Sequence, residues 1–273
     1  MNRFERISGA LRHASSLERA DWLWNHVRPL YDRVLRVSFG GRGLERFVNG
    51  SDRILLSPRS RHFTSEAYEP QLWRAVMSHT RGGDTIAEVG ASIGIYTLAL
   101  ASRVGVEGRV VAFEPDPESA AELEANVAIN GWRHRIRVMR TVVGESSGEV
   151  SFTCARGMES HVASVADSSD AAIRVPMVTL DSVFPDSRVD LLKIDVEGYE
   201  EPVLRGAHAL LGDPARRPRA VFVEVHPFAW EGVGTTSDSI LGLLSGAGYR
   251  VELPEGVPIS RITEYGHIVA TAR

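Results

Sequence analysis

From Asp84 onward, short apolar runs alternate with stretches of helical spacing. "TIAEVG" (85–90) predicts a strand, "IYTLALASRVG" (95–105) a helix closed by Gly105, and "RVVAFEP" (109–115) a second strand. "DPESAAELEANVAINGW" (116–132) predicts a helix whose end is marked by Asn130-Gly131. "RIRVMRTVVG" and "GEVSFTC" read as two more strands, followed by a polar stretch, 155–172, without a period. "VPMVTLDSVF" then leads to the strand "VDLLKIDVEG" (189–198), the helix "EEPVLRGAHALL" (200–211) and the strand "RAVFVEVH" (219–226). The helix "SDSILGLLSGAG" and the closing runs "YRVEL" and "HIVATAR" complete the chain. Continuous apolar strands between amphipathic helices predict an α/β fold. Its Rossmann-like, doubly wound, mostly parallel sheet is covered on both faces, and the last two strands form an antiparallel C-terminal edge.

Before Asp84 the pattern changes. "SLERADWLWNHVRPLYDRVLRV" places Leu17, Trp22, Leu23, Val27, Leu30, Val34 and Leu35 at helical spacing, interrupted by Pro29. "ERFVNGSDRILLSP" carries Asn49-Gly50 between strand-like runs, a hairpin signal. Residues 1–80 are therefore expected to be a helical and hairpin appendage on a domain spanning 81–273. The tryptophan-rich stripe would serve as core, or as an interface through which the chain forms a homo-oligomer.

Composition narrows the partners. The chain has 273 residues, 43% of them hydrophobic, yet no apolar run nears the ~20 residues of a membrane span. Its 31 basic and 35 acidic residues are interspersed, giving a net charge of -4. That balance supplies neither a nucleic-acid footprint nor a polybasic membrane patch. One cysteine, Cys154, excludes an internal disulfide framework, and residues 1–24 lack the apolar core of a signal peptide. A cytoplasmic location is the expectation.

The chemistry begins at "DTIAEVGASIGIYT" (84–97), where a strand runs through a glycine turn into a helix. Such a turn lets backbone N–H groups approach a ligand at a helix N-terminus. A dinucleotide fingerprint would need glycines at 90, 92 and 95, but Ser92 and Ile95 stand at the last two, which argues against NAD. The observed arrangement is Glu88-x-Gly90-x-Ser92-x-Gly94, and the next strand ends in Glu114. An acid at that strand end can accept hydrogen bonds from both hydroxyls of a ribose.

These segments, with "VPMVTLDSVF", "VDLLKIDVEGYEEPVLRGAHALL" and "RAVFVEVHP" in the same order, resemble the FkbM family of methyltransferases. The similarity runs from Tyr68 to Tyr249 and includes the "YEP" of Tyr68, Glu69 and Pro70; "KIDVEGYE" is its most specific part. Two positions depart from the family's usual Asp and Asn, namely Glu88 and Ser92. The resemblance implies transfer of a methyl group from S-adenosyl-L-methionine to a hydroxyl of a sugar, glycoconjugate or secondary metabolite. It places Glu69, Glu88, Gly90, Ser92, Gly94 and Glu114 at the cofactor, with Val142, Val143, Gly144 or Glu145 beside the adenine. A catalytically inactive nucleotide-binding protein of the same fold is the alternative.

A hydroxyl must lose its proton as it attacks, which calls for a general base or a metal ion. Lys193, Asp195 and Glu197 alternate at one strand end, and Glu224 and His226 at the next. Polar residues on buried strands are costly unless they bind one another, a ligand or a metal. Asp195 and Glu224 could hold a magnesium ion, or His226 could take the proton directly; the base route is favoured. A structural Lys193–Glu224 ion pair is the non-catalytic alternative. In the 155–172 loop, Ser160 and His161 are candidate acceptor contacts.

Overall fold

The computed structural model describes residues 43–60, 67–153, 161–162 and 172–273. The tryptophan-rich stretch expected to be helical and the greater part of the 155–172 stretch, Ser160 included, lie outside the described residues.

Strands β1 (Leu44–Val48) and β2 (Asp52–Leu56) form the hairpin expected from Asn49-Gly50, both of which adopt positive φ in the turn. Val48, Ile54 and Leu56 join one hydrophobic cluster with Leu72, Trp73 and Val76 of helix α1 (Pro70–His79). Polar side chains complete the attachment. Trp73 donates its indole N–H to Asp52 at 2.8 Å, and Arg103 reaches the other oxygen of Asp52 at 2.8 Å.

The main sheet then builds in order. β3 (Thr85–Val89) leads into α2 (Ile95–Val104), β4 (Arg109–Phe113) into α3 (Pro117–Ile129), and β5 (Ile136–Met139) follows. Asp116 caps α3 by accepting from the Ser119 N–H at 2.8 Å, with Pro117 at its first position. Asn130 and Gly131 end it, as their sequence indicates.

Next in the chain come β6 (Val142–Val143), β7 (Gly148–Thr153), β8 (His161–Val162), β9 (Ala172–Val178) and α4 (Leu180–Val183). β6 to β9 form a second, four-stranded sheet in the order β6-β9-β7-β8. The run "RIRVMRTVVG" is thus shared between two sheets. "VPMV" of β9, which had no separate assignment, pairs with both β6 and β7.

Completing the main sheet are β10 (Leu191–Ile194), β11 (Ala220–Val225), β12 (Tyr249–Glu252) and β13 (Gly266–Ala272), with α7 (Ser237–Gly246) before β12. Its order is β12-β13-β11-β10-β3-β4-β5, parallel from β11 to β5, with β13 antiparallel to both neighbours. Strand order reverses between β3 and β10, which opens a crevice at their carboxyl ends.

The single helix expected over 200–211 is two: α5 (Glu200–Arg205) and α6 (His208–Gly212). Gly206 at the break sits so near Gly144 that a Cβ would overlap its carbonyl oxygen. Asp181 accepts from the N–H groups of Ala209 and Leu210 at 2.9 and 2.8 Å, starting the second helix. Among the described residues no helix is long and apolar enough to cross a membrane.

Candidate active site

Register across the sheet assembles the polar residues. Lys193 pairs with Glu88 on one side and Phe222 on the other, so these point to one face. Two residues further along, the same pleat carries Gly90, Asp195, Glu224 and His267 as a row across four strands. Glu197 does not continue the alternation. Its φ of 49° turns the chain just past the end of β10.

A cleft enclosing about 1040 Å³, counting its open mouth, lies at the strand reversal. Glu88, Gly90, Ser92, Glu114, Val142, Val143, Lys193, Asp195 and Glu197 all line it. Gly90 has a local reason: a Cβ there would overlap the backbone carbonyl of Asp195, so the turn can sit against β10 only without a side chain. Gly94, at φ 90°, lies against Leu123 of α3, whose side chain a Cβ there would meet.

Glu114 is buried, and its two oxygens accept from the backbone N–H groups of Ser92 (2.6 Å) and Asp116 (2.8 Å). Each oxygen keeps a second lone pair for a ligand hydroxyl. Burial pushes its carboxyl up to about 7 despite these two amides. Glu88 is likewise raised to about 7 by burial, against the Lys193 charge and a 2.6 Å bond from the Thr97 hydroxyl. Thr141 borders the cleft with a buried hydroxyl that has no hydrogen-bond partner among the described residues.

Lys193 donates to Asp195 at 3.1 Å, and its ammonium lies 4.6 Å from the Tyr96 ring centre. Burial opposes its charge, but Asp195, Glu69, Glu88 and Glu224 hold its pKa above the ordinary lysine value. Asp195 is raised by burial, partly offset by Lys193. Burial would also lift Glu224, yet His267, Lys193 and the Tyr265 hydroxyl together hold it below the usual carboxylate range. In place of the Lys193–Glu224 pair considered as the non-catalytic alternative, Lys193 pairs with Asp195, with Glu224 nearby.

Glu69 is not part of the cleft lining. It accepts from the Tyr96 hydroxyl at 2.9 Å and stands 3.9 Å from His267, beside the row of carboxyl groups. Asp195 and Glu224, the pair considered for a magnesium ion, fall in different groups of close ligand atoms. One group is Asp195, Glu197 and His226; the other is Glu69, Glu224 and His267.

His226, 2% exposed, follows β11. Its Nε2 lies 3.3 Å from Glu197 and 3.9 Å from Glu224, while its Nδ1 lies 2.7 Å from Glu200. Phe228 and Tyr265 flank the imidazole with ring centres 5.7 and 5.4 Å away. Burial works against a charged ring, but Glu200, Glu197 and Asp195 raise its pKa overall.

Four residues of this site carried no assignment from sequence: Tyr96, Thr141, Tyr265 and His267. Each reaches the cleft or the row only through packing or register. His267 is the cross-strand partner of Glu224, which the pattern of "HIVATAR" does not disclose. Glu200 stands within "KIDVEGYE" but reads there as the first residue of a helix.

A sheet reversing between β3 and β10, with a glycine turn and an acid at the end of β4 bordering the crevice, defines the class as a nucleotide-binding α/β protein. Within it, the chain belongs to the methyltransferase FkbM domain family, whose signature matches residues 88–251, more than half of the sequence. The 31-O-demethyl-FK506 methyltransferase FkbM of Streptomyces tacrolimicus is 29% identical over 227 residues, covering 70% of this chain and 81% of that protein. Hexuronic acid methyltransferase AglP of Haloferax volcanii is 23% identical over 188 residues, covering 68% and 71%. AMB antimetabolite synthetase AmbE of Pseudomonas aeruginosa is 26% identical over 66% of this chain, which spans only 10% of that protein's length. A crystal structure of methyltransferase FkbM from Methylobacillus flagellatus superposes on 69% of this chain and 43% of its own, at 18% identity and a TM-score of 0.46.

Proposed function

We propose that the protein methylates a hydroxyl oxygen of a sugar, glycoconjugate or secondary metabolite, with His226 as the general base. The observation that carries this reading is the buried imidazole at the end of β11, engaged at Nδ1 and directed by Nε2 toward the carboxyl groups beside the cleft. When bound, S-adenosylmethionine supplies an electrophilic methyl carbon. The chain must then hold an acceptor oxygen in place and receive its proton.

The cleft suits that cofactor. Glu114 offers two free lone pairs to ribose hydroxyls, and the orphaned Thr141 hydroxyl, beside Val142 and Val143, suits the polar edge of an adenine. Glu197, which lines the cleft 3.3 Å from Nε2 of His226, can accept from another hydroxyl of a polyol and orient it toward that base. Of two relatives, one bears a name that specifies the 31-O position of its substrate, which supports an oxygen acceptor, and the other a name that specifies a hexuronic acid, whose hydroxyls and carboxylate both offer oxygen. A magnesium route through Asp195 and Glu224 draws less support, because Asp195 is occupied by Lys193 and the two belong to different ligand groups.

The test is transfer of a labelled methyl group to a panel of sugars, uronic acids and macrolides, by the parent and by His226→Ala. Labelled ether product, lost by about 10²–10⁴ in the variant, is the expected result. Transfer to nitrogen or carbon in preference to every hydroxyl would overturn it. Binding of S-adenosylhomocysteine without any turnover would instead favour the non-catalytic binding protein. Chelation that abolishes turnover, restored by magnesium, would move the proton to the metal route.

A further inference from the structure

One buried carboxyl group beneath the base has no part in the chemistry above. Glu200 is 0% exposed at the start of α5. Its Oε2 accepts from the Trp230 indole N–H at 2.8 Å, and its Oε1 accepts from the Gly198 backbone N–H at 2.9 Å. Both donors are obligatory, since neither nitrogen can act as an acceptor. The same Oε1 lies 2.7 Å from Nδ1 of His226.

A neutral imidazole donates from one nitrogen and accepts at the other. With both Glu200 oxygens already accepting, the proton between Glu200 and His226 belongs on Nδ1. Nε2 then carries the lone pair on the side of Glu197 and Glu224. An amide could not serve all three donors, because one of its two ends donates. Phe228 and Tyr265 restrict the plane of the ring, while Glu200 sets where its proton resides.

We infer that Glu200 is a positioning residue that locks His226 in the Nδ1–H tautomer, leaving Nε2 to accept the acceptor's hydroxyl proton. The inference rests on the reading of His226 as base. As the hydroxyl proton moves to Nε2, the ring becomes an imidazolium whose charge Glu200 and Glu197 balance, and water removes the proton afterwards. The logic is that of a base held by a buried acid in hydrolytic triads, where the acid sets tautomer and orientation.

Two measurements test it. The first uses the parent protein, labelled with 15N-histidine and studied at a pH where the ring is neutral; His226→Gln identifies the signals by their loss. A protonated Nδ1 and an unprotonated Nε2 are expected, and the reverse assignment overturns the lock without needing any Glu200 variant to fold. The second compares Glu200→Gln with the parent. In folded variant, kcat should fall by about 10²–10⁴ while acceptor KM and S-adenosylhomocysteine affinity stay within about two-fold. Trp230→Phe, which removes a donor to Glu200 but leaves the Nδ1 contact, should keep the parent tautomer. A Glu200→Gln enzyme with parental kcat sinks the inference. Should His226→Ala retain full activity, the base reading fails instead, and the 15N spectrum still reports the lock independently.

Discussion

At the scale of single residues, Glu114 shows how a site is built from competing terms. Burial raises its pKa to about 7, and only the ionised form offers both oxygens fully to ribose hydroxyls. Affinity for S-adenosylhomocysteine should therefore weaken as pH falls from 8 to 6, as the carboxyl takes up a proton. Glu114→Gln should weaken binding by roughly 2–3 kcal/mol at pH 8, the worth of hydrogen bonds to a charged acceptor, and flatten that pH dependence. Titration calorimetry at both pH values decides the matter; a parent affinity independent of pH would show that Glu114 does not hold the ribose. Gly90 makes a different point. Its spacing marks a ligand turn in the sequence, and the structure adds a protein atom that forbids a side chain there, the backbone carbonyl of Asp195.

At the scale of elements, the hairpin is held by Asn126 of α3 and by Asn130 at its C-terminal cap. Asn126 accepts from the Ser57 N–H at 2.7 Å and donates to the Ser60 hydroxyl and the Ile93 carbonyl at 3.0 and 2.9 Å. Asn130 both accepts from and donates to the Leu55 backbone, so its amide pairs with β2 as another strand would. Ile93 lines the cleft, so one buried amide couples the hairpin to it. Asn126→Ala should cost about 2–4 kcal/mol, since it leaves buried backbone and hydroxyl groups unpaired. A urea midpoint equal to the parent's would refute this coupling. The sequence predicts both the hairpin and α3, but nothing in either pattern shows that they meet. The split of the 200–211 helix has the same origin: apolar periodicity continues through Gly206, but the Gly206 carbonyl accepts from the Asp181 N–H and the Asp181 side chain takes the N–H groups of Ala209 and Leu210.

For the whole molecule, buried acids should give an unusual pH profile of stability. Glu88 and Glu114 have folded-state values of about 7 against ordinary values of 4.5, so the fold favours their protonated forms. Their contribution is fully present below about 4.5 and is lost as pH rises through about 7. Glu197, raised to about 7 mainly by burial, acts in the same sense, as does His226, whose charged form the fold favours. Glu224 opposes them only in strong acid, where its lowered pKa makes stability fall with pH. Unfolding midpoints of the ligand-free protein should therefore decline between pH 5 and pH 8. Thermal or urea unfolding across that range checks it, and a flat or rising midpoint would show that these carboxyl groups are not held protonated. Saturation with S-adenosylhomocysteine should lessen the decline, because the ligand favours ionised Glu114.

What the sequence determined by itself is what depends on local periodicity and on residue type at fixed spacing. The alternation of apolar strands and helices, the antiparallel end, the Asn49-Gly50 hairpin and the acid-glycine turn were legible because each follows from neighbours a few residues apart. The polar strand ends at Lys193, Asp195, Glu224 and His226 were legible too, since charged groups on buried strands stand out against their surroundings. Partnership was not. That Lys193 takes Asp195, that His267 faces Glu224, that Glu69 sides with this row instead of lining the cleft, and that Glu200 grips His226 were decided by strand register and by chain reversal at Glu197. Those contacts join residues far apart in sequence, and their energies depend on distances that no periodicity encodes.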